Sequence, residues 1–463
     1  MKKKPNILII VSDQQGIDTI SAYKEFFSHD AYLCHWLKTP NFDRMAEGGY
    51  SFLQSNSTNP VSCPARSSIF TGRYSTETGV TYNNVGIDNT VPNMGEWFSE
   101  KSDYKPVYCG KWHAGGQWNY PDVEGSRKIP GFETIPVGVS GTGDFNDFQV
   151  SGAMRNFIMN YKDEKPFLAV AGFMNPHDIC YWTPNLHGNK LVPKSDIFEL
   201  GNALPPMPPN FNFSFTDPFP KQQIKMTPDE WHNYLHDYCR MIEKLDADLG
   251  RLLDAVDSRK DETLVVFTAD HGEGAARHKR VQKWHPFEQS VRVPFILYMP
   301  GLIKSNVLDS RHIVSGIDIM TTVCEYAGIP APPNCRGRSL RHLVESGETE
   351  DQMDYAFSEF QHTGRVVRKG NFKYVKIYKY SGDQDQPFIR LVDGKSEKFH
   401  PCAGSSRYET LPNKLLFNLK DDPWELKDLS ADPAFSNKMT ELDTLLAEEW
   451  EKKLIPGTHF DRN

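Results

Sequence analysis

The chain has 463 residues, of which 38% are apolar and 24% charged, and its formal net charge is −8. This is globular composition, long enough for a large core split between two domains. The mild acidity excludes a protein that coats nucleic acid or a membrane surface, and the eight scattered cysteines, with no Cys-x-x-Cys pair, exclude a zinc ribbon or a small disulfide scaffold. They read mostly as buried free thiols. An anionic ligand would need positive charge gathered locally, in motifs.

Met1 to Lys4 is basic, like the front of a secretory leader. The apolar run Ile7 to Val11 is too short for a leader core, and no small-residue cleavage site follows. No stretch approaches membrane-spanning length. The sequence as written is expected to be cytoplasmic, or periplasmic if a leader has been removed. Pro5-Asn-Ile-Leu-Ile-Ile-Val-Ser-Asp13 then reads as a buried parallel strand that delivers Asp13 at its C-terminal end. The pattern recurs. Pro106 to Gly110 runs into Lys111, Phe167 to Phe173 into Asn175-Pro-His177, and Leu264 to Ala269 into Asp270-His271. In open α/β sheets, sites form beyond the carboxyl ends of strands, so these clusters are expected to converge.

Between the third and fourth strands, Thr227 reads as an N-cap and Pro228 as the first helical residue, with Asp229 and Glu230 at the positive end of the dipole. Trp231, Tyr234, Leu235, Tyr238, Ile242, Leu245, Leu249, Leu252 and Val256 follow at helical spacing, as a stripe that packs on the core. Strand, helix, strand in this order implies a right-handed crossover. Residues 181–226 are rich in Pro, Asn and Phe without periodicity, and are expected to form a long loop partly covering the site. Pro294 to Tyr298 reads as a further strand. The proline-rich stretch Ile329 to Asn334 and the acidic one near Glu345 to Asp354 divide the chain into domains 1–345 and 346–463. Beyond the boundary, Phe372 to Tyr378 alternates as a half-exposed strand and Glu441 to Lys453 reads as an amphipathic helix.

Ser62-Cys-Pro-Ala-Arg-Ser-Ser-Ile-Phe-Thr-Gly-Arg73 reads locally as a turn feeding a helix, with Ser62 as N-cap and Pro64 in the first turn. That leaves Arg66 and the Thr-Gly-Arg ending unexplained. The window resembles the signature of the formylglycine-dependent sulfatases, in which a Cys or Ser is followed by Pro at the second position and Arg at the fourth. Pro64 and Arg66 set the register on Ser62, with Cys63 at the variable position. The resemblance implies the serine-type branch, matured by a radical enzyme, and a bacterial source. In that family the modified residue is an aldehyde hydrate: one oxygen attacks sulfur, and the other later loses a proton and expels sulfate.

The same resemblance extends along most of residues 5–300. It implies a divalent metal held by Asp13, Gln14, Asp270, His271 and the oxygen of modified Ser62, with Ca²⁺ favoured by the oxygen donors and Mg²⁺ or Mn²⁺ as alternatives. Many members carry two adjacent aspartates where this chain has Asp13-Gln14; relatives acting on choline sulfate or phosphonate esters also depart there. Cys109-Gly-Lys111-Trp-His113 resembles the family's Gly-Lys-Trp-His motif. Lys111 would contact hydrate and sulfate, and His113 would orient or deprotonate the hydrate. Arg66 would hold the hydrate, Lys283 would bind sulfate and the leaving oxygen, and His177 would be the general acid. More weakly, His362 and Arg365 would read the substrate, and His278, Lys279 and Arg280 would meet an acidic sugar.

The resemblance implies a two-domain α/β hydrolase of the alkaline phosphatase superfamily. A large, mixed, mainly parallel sheet flanked by helices would be followed by a smaller α+β domain, an antiparallel sheet plus a helix. The expected activity is hydrolysis of a sulfate ester, of a carbohydrate by analogy with bacterial relatives. The alternatives are a phosphodiester or phosphonate ester hydrolase, or an unmatured pseudoenzyme that binds sulfated ligands.

Overall fold

The computed structural model describes residues 4–27, 33–115, 128–137, 142–182, 204–213, 215, 219, 226–259, 262–349, 353–360, 364–377, 388–392, 395–399 and 413–454. Its centre is an eight-stranded sheet of β1 (Asn6–Asp13), β2 (Gly49–Asn56), β3 (Lys105–Gly110), β4 (Glu133–Ile135), β5 (Phe167–Pro176), β6 (Thr263–Ala269), β7 (Phe295–Tyr298) and β8 (Val307–Ser315), in the order β4-β3-β5-β1-β6-β7-β2-β8. β7 runs antiparallel to both its neighbours, and the remaining pairs are parallel.

β1 is central because it is apolar on both faces. Ile7, Ile9 and Val11 enter one core with Phe70, Trp112 and Met320. Leu8 and Ile10 enter the other with Leu245, Leu249 and Leu252 of the long helix Pro228–Asp257. Side chains alternate faces along a strand, so burial of both faces turns the sequence into an unbroken apolar run. The long helix starts as the sequence predicts. The Thr227 hydroxyl accepts from the Glu230 amide at 3.2 Å, and the Glu230 carboxylate accepts from the Thr227 amide at 2.8 Å, closing a capping box. Every residue of the predicted stripe is buried.

β9 (Tyr355–Phe360), β10 (Gly364–Lys369) and β11 (Phe372–Ile377) precede a hairpin of β12 (Phe388–Val392) and β13 (Lys395–Phe399). β14 (Lys414–Asn418) then completes a four-stranded antiparallel sheet in the order β14-β11-β10-β9. One face packs Val367, Tyr374 and Leu416 on Leu442, Leu446 and Trp450. The other packs Val366, Val375 and Phe417 on Phe287, in the loop after Lys283.

The C-terminal helix starts at Ser436, earlier than the predicted Glu441, and passes through a π turn at Leu446–Trp450. It is launched by a 3₁₀ turn, Pro433–Phe435, whose cap Asp432 accepts from the Ala434 amide at 3.0 Å. Phe435 and Met439 extend the stripe of Leu442 and Leu446 to this start, a signal that the sequence reading passed over. Most of the predicted loop 181–226 lies outside the described residues, and so does its expected role as a cover. Of its described part, Phe211 meets Trp231 at 5.4 Å and Phe219 meets Phe287 at 5.4 Å. Among the described residues, no helix is long and apolar enough to cross a membrane.

Candidate active site

Strand register assembles the site. Ser12 of β1 pairs with Ala269 of β6, and the Asp270 amide donates to the Ser12 carbonyl at 3.2 Å. Asp13 and Asp270 therefore emerge side by side, although far apart in sequence. On the other side of β1, Gly110 of β3 pairs with Gly172 of β5, and the Lys111 amide donates to the Gly172 carbonyl at 2.8 Å. Lys111, Asp13, the turn after β5 and Asp270 thus share the carboxyl edge of the sheet.

The helix Ser62–Thr71 enters at this edge. Its N-cap is Val61, in extended conformation, so Ser62 is the first helical residue rather than the predicted cap. The Ser57 hydroxyl donates to the Asp270 carbonyl just upstream and fixes the approach. Gly72 closes the helix at φ 69°, where a Cβ would collide with Cys335 Sγ. That accounts for the glycine in the Thr-Gly-Arg ending.

Ligand atoms of Asp13, Asp270 and His271 lie within 4.8 Å of one another, and all three residues are buried. His271 Nδ1 donates to the Gly272 carbonyl at 2.9 Å, which leaves Nε2 as a lone pair 2.8 Å from Ser62 Oγ. Burial and the nearby Lys283 ammonium depress the His271 pKa to about 3, so the ring is neutral. Burial, then the neighbouring Asp13 carboxylate, push Asp270 up to about 7. Burial also opposes ionisation of Asp13, but Lys111, His177 and Arg66 outweigh it and hold its pKa well below the usual carboxylate range. Asp13 Oδ1 is buried and accepts no hydrogen bond. Two crowded carboxylates, an orphaned oxygen and a neutral imidazole are a donor set that fits a hard divalent cation.

Cations surround this cluster. Lys111 Nζ lies 2.7 Å from Asp13 Oδ2, with the lysine 1% exposed. Arg66 donates from Nε to Asp270 Oδ2 at 2.9 Å and from a terminal nitrogen to the Lys111 carbonyl at 3.0 Å; its other terminal nitrogen is 3.5 Å from Asp13 Oδ2. It ties the two carboxylates together; the contact with the residue-62 hydrate that the resemblance implies is a further role.

Gln14 sits at φ 69°. Its amide donates to Asp270 Oδ1 at 3.1 Å, and its Oε1 accepts from Lys283 Nζ at 2.5 Å, which occupies one lone pair of the oxygen expected to be a ligand. Its Nε2 donates to Glu273 Oε2. Glu273, which the sequence reading missed, is a buried bracket that also accepts from Tyr234 Oη at 2.6 Å and the Gln282 amide at 2.6 Å. Its only signal is its place just after Asp270-His-Gly. Cys180, also missed, touches the Gln14 amide nitrogen at 3.1 Å and Lys283 Nζ at 3.8 Å.

His113 and His177 face the same charges. His113 is buried at φ 40°, and its Nδ1 has no hydrogen-bond partner. Burial, with Lys111, Arg66 and Lys283, keeps its pKa well below normal. His177 follows the cis Asn175–Pro176 bond; its Nδ1 is likewise unpartnered, and burial with Lys283 and Lys111 depresses its pKa. Cys63 faces away. Its amide donates to Asn83 Oδ1 at 3.0 Å, its thiol lies 3.7 Å from the Val85 carbonyl, and burial raises that thiol to about 12.

The expectation that His278 and Arg280 meet an acidic sugar is corrected. His278 is buried and stacked on Phe287 at 4.0 Å, and buried Arg280 donates to the Phe219 carbonyl at 3.0 Å, so aromatic packing takes both inward. Lys279 stays exposed, over the Phe211 ring at 5.5 Å. Arg365 lies over the Trp450 ring at 4.5 Å and bonds Thr76 Oγ1 at 3.4 Å. His362 lies outside the described residues.

A mainly parallel sheet with a carboxylate–imidazole cluster and a hydroxyl at its carboxyl edge fits the hydrolase of the alkaline phosphatase superfamily that the sequence resemblance implies. The Sulfatase family matches residues 5–329, and the family "N-sulphoglucosamine sulphohydrolase, C-terminal" matches residues 276–396. The chain belongs to the sulfatase family and is a sulfuric ester hydrolase. It is 28% identical over 478 residues to the Delta 4,5-hexuronate-2-O-sulfatase of Bacteroides thetaiotaomicron, covering 96% of this chain and 88% of that protein. Its fold matches that of a 2-O GAG sulfatase at TM-score 0.75 and 24% identity, over 97% of this chain and 92% of the other. It also matches the phosphonate monoester hydrolase of Agrobacterium radiobacter at TM-score 0.70 and 21% identity, over 97% and 96% of the two chains.

Proposed function

We propose that the protein hydrolyses sulfate esters of carbohydrates, with a formylglycine made from Ser62 as nucleophile. The observation that carries this reading is Ser62 Oγ, 2.8 Å from His271 Nε2, within the buried Asp13–Asp270–His271 cluster. The full-length similarity to a hexuronate sulfatase supports the carbohydrate class. A serine-type radical maturase would supply the modification.

Asp13, Asp270 and His271, with Gln14 Oε1 and the residue-62 oxygen, would hold one divalent metal, Ca²⁺ first. When bound, that ion withdraws charge from the sulfuryl oxygens and acidifies the nucleophile. Hydration of the residue-62 aldehyde supplies two oxygens, one to attack and one to release sulfate. Lys111 and Lys283 receive the sulfate oxygens with charge-assisted hydrogen bonds. Arg66 keeps the two carboxylates in place. His113 takes a proton from the hydrate.

His177 gives a proton to the leaving oxygen. At rest, burial first and then Lys283 and Lys111 suppress its protonation; the single negative charge of an arriving sulfate ester offsets one of those two ammonium charges and so favours the protonated ring. His177→Ala is therefore expected to lower kcat for alkyl sulfates by about 10²–10⁴-fold. Aryl sulfates, whose leaving groups need little protonation, should lose far less. Steady-state kinetics across a leaving-group series checks this; equal losses on both classes would remove His177 from the general-acid role.

The second reading, a phosphonate or phosphodiester hydrolase, is favoured by Gln14 standing where many sulfatases have aspartate. Matured protein is expected to show a higher kcat/KM on sulfated saccharides than on phosphonate or phosphate diesters. The opposite preference would overturn the sulfatase reading of the substrate.

A further inference from the structure

We propose that Tyr82 and Trp284 form a stacking platform for the pyranose ring that carries the scissile sulfate; this rests on the carbohydrate reading above. The two rings lie 5.3 Å apart, tilted by 35°, and both are half-buried. Neither belongs to any of the apolar core clusters among the described residues.

The chain segments that carry the two rings are tied to the backbone on either side of Ser62. The Trp284 amide donates to the Pro60 carbonyl at 3.3 Å, just upstream of the nucleophile residue. Tyr82 precedes Asn83, whose Oδ1 accepts from the Cys63 amide at 3.0 Å, just downstream. Trp284 also directly follows Lys283, whose Nζ bonds Gln14 Oε1 at 2.5 Å. The pair thus flanks the place where the sulfate oxygens would be held.

Trp284 has φ 84°, a left-handed conformation that a bulky side chain rarely adopts. Such conformations persist where the surroundings impose them, and they cluster at ligand clamps. Here the conformation is what lets Lys283 point inward at Gln14 while the next residue turns its ring toward Tyr82. A pyranose presents apolar C–H faces between its hydroxyls. Aromatic side chains at a site mouth bury such a face and leave the polar rim to water.

The test uses matured full-length protein with two substrates, a sulfated monosaccharide and methyl sulfate, which has no ring. Trp284→Ala is expected to reduce kcat/KM on the sugar by about tenfold, mainly through KM, with a clearly smaller loss on methyl sulfate. Trp284→Phe should recover most of the sugar activity, and Tyr82→Ala should reproduce the direction of the loss. Equal losses on both substrates would mean that Trp284 only positions Lys283, and would overturn the platform. An unchanged KM for the sugar would do the same. Should the wild type prefer phosphonate esters, calorimetric binding of the sulfated sugar to the Ser62→Ala protein separates the two ideas. Binding weakened by adding Trp284→Ala keeps the platform while the reaction assignment falls; absence of sugar binding removes both.

Discussion

Ser62→Ala is expected to abolish sulfate-ester turnover, with a loss of at least about 10⁴-fold, as when other enzymes lose their nucleophile. Cys63→Ala is expected to keep most of it. The two residues are adjacent, but the helix start sends them apart. Ser62 Oγ meets the lone pair of His271 at 2.8 Å, while Cys63 turns to the Val85 carbonyl at 3.7 Å with its thiol raised to about 12. A thiol so far from ionisation in a closed apolar site is a poor nucleophile. Cys63→Ala removes one sulfur atom from a buried position and should cost about 1 kcal/mol of stability. Peptide mass spectrometry of residues 62–73, on protein co-expressed with a serine-type maturase, should localise a loss of two hydrogens to Ser62. Turnover retained by Ser62→Ala and lost by Cys63→Ala would overturn the register.

Asp270→Asn is expected to weaken divalent-metal binding by more than about 100-fold, since loss of a group merely supporting a ligand already costs 10–100-fold. The reason is electrostatic. Arg66, Lys111 and Lys283 remain close by, so removing one of the two carboxylates leaves a strongly cationic pocket to receive another cation. In the wild type, calcium at about 100 times its Kd should add about 2.7 kcal/mol of stability, and chelation should remove it. Calorimetric titration gives the affinity and thermal melts give the stabilisation, both without a substrate. Unchanged calcium affinity in Asp270→Asn would place the metal elsewhere.

The parts of the protein legible in the sequence are those encoded locally. β1, β3, β5 and β6 were visible because burial on both faces makes their residues uniformly apolar, and the polar residues that follow had to be loops beyond strand ends. The start of the long helix was written in Thr227, Pro228 and Glu230, whose capping bonds span only three residues. The Ser62 window was legible because its residues are contiguous, in one short helix and the Gly72-Arg73 that closes it. One strand of the C-terminal sheet was foreseen from the alternation after Phe372 and the sheet itself from the family resemblance, but the helix start at Ser436 was not, although Met439 in its first turn already lies on the stripe of Leu442 and Leu446.

Tertiary structure alone decided which groups meet. Gln14 and Asp270 are 256 positions apart and touch because β1 and β6 pair in one register. A shift of that register by one residue would turn each of these side chains to the opposite face. Packing around that pairing brings Arg66 of the helix Ser62–Thr71 to the carboxylates, gives Lys283 the Gln14 oxygen and makes Glu273 a bracket. It also explains why His278 and Arg280 could not be placed from their charges. A basic run reads as solvated in sequence, yet Phe287 and Phe219 offer those two side chains a stacking face and a carbonyl inside the fold. Local pattern specifies period, caps and strand ends; the partners of a buried charge depend on which distant segments desolvate it, and only the packed sheet supplies them.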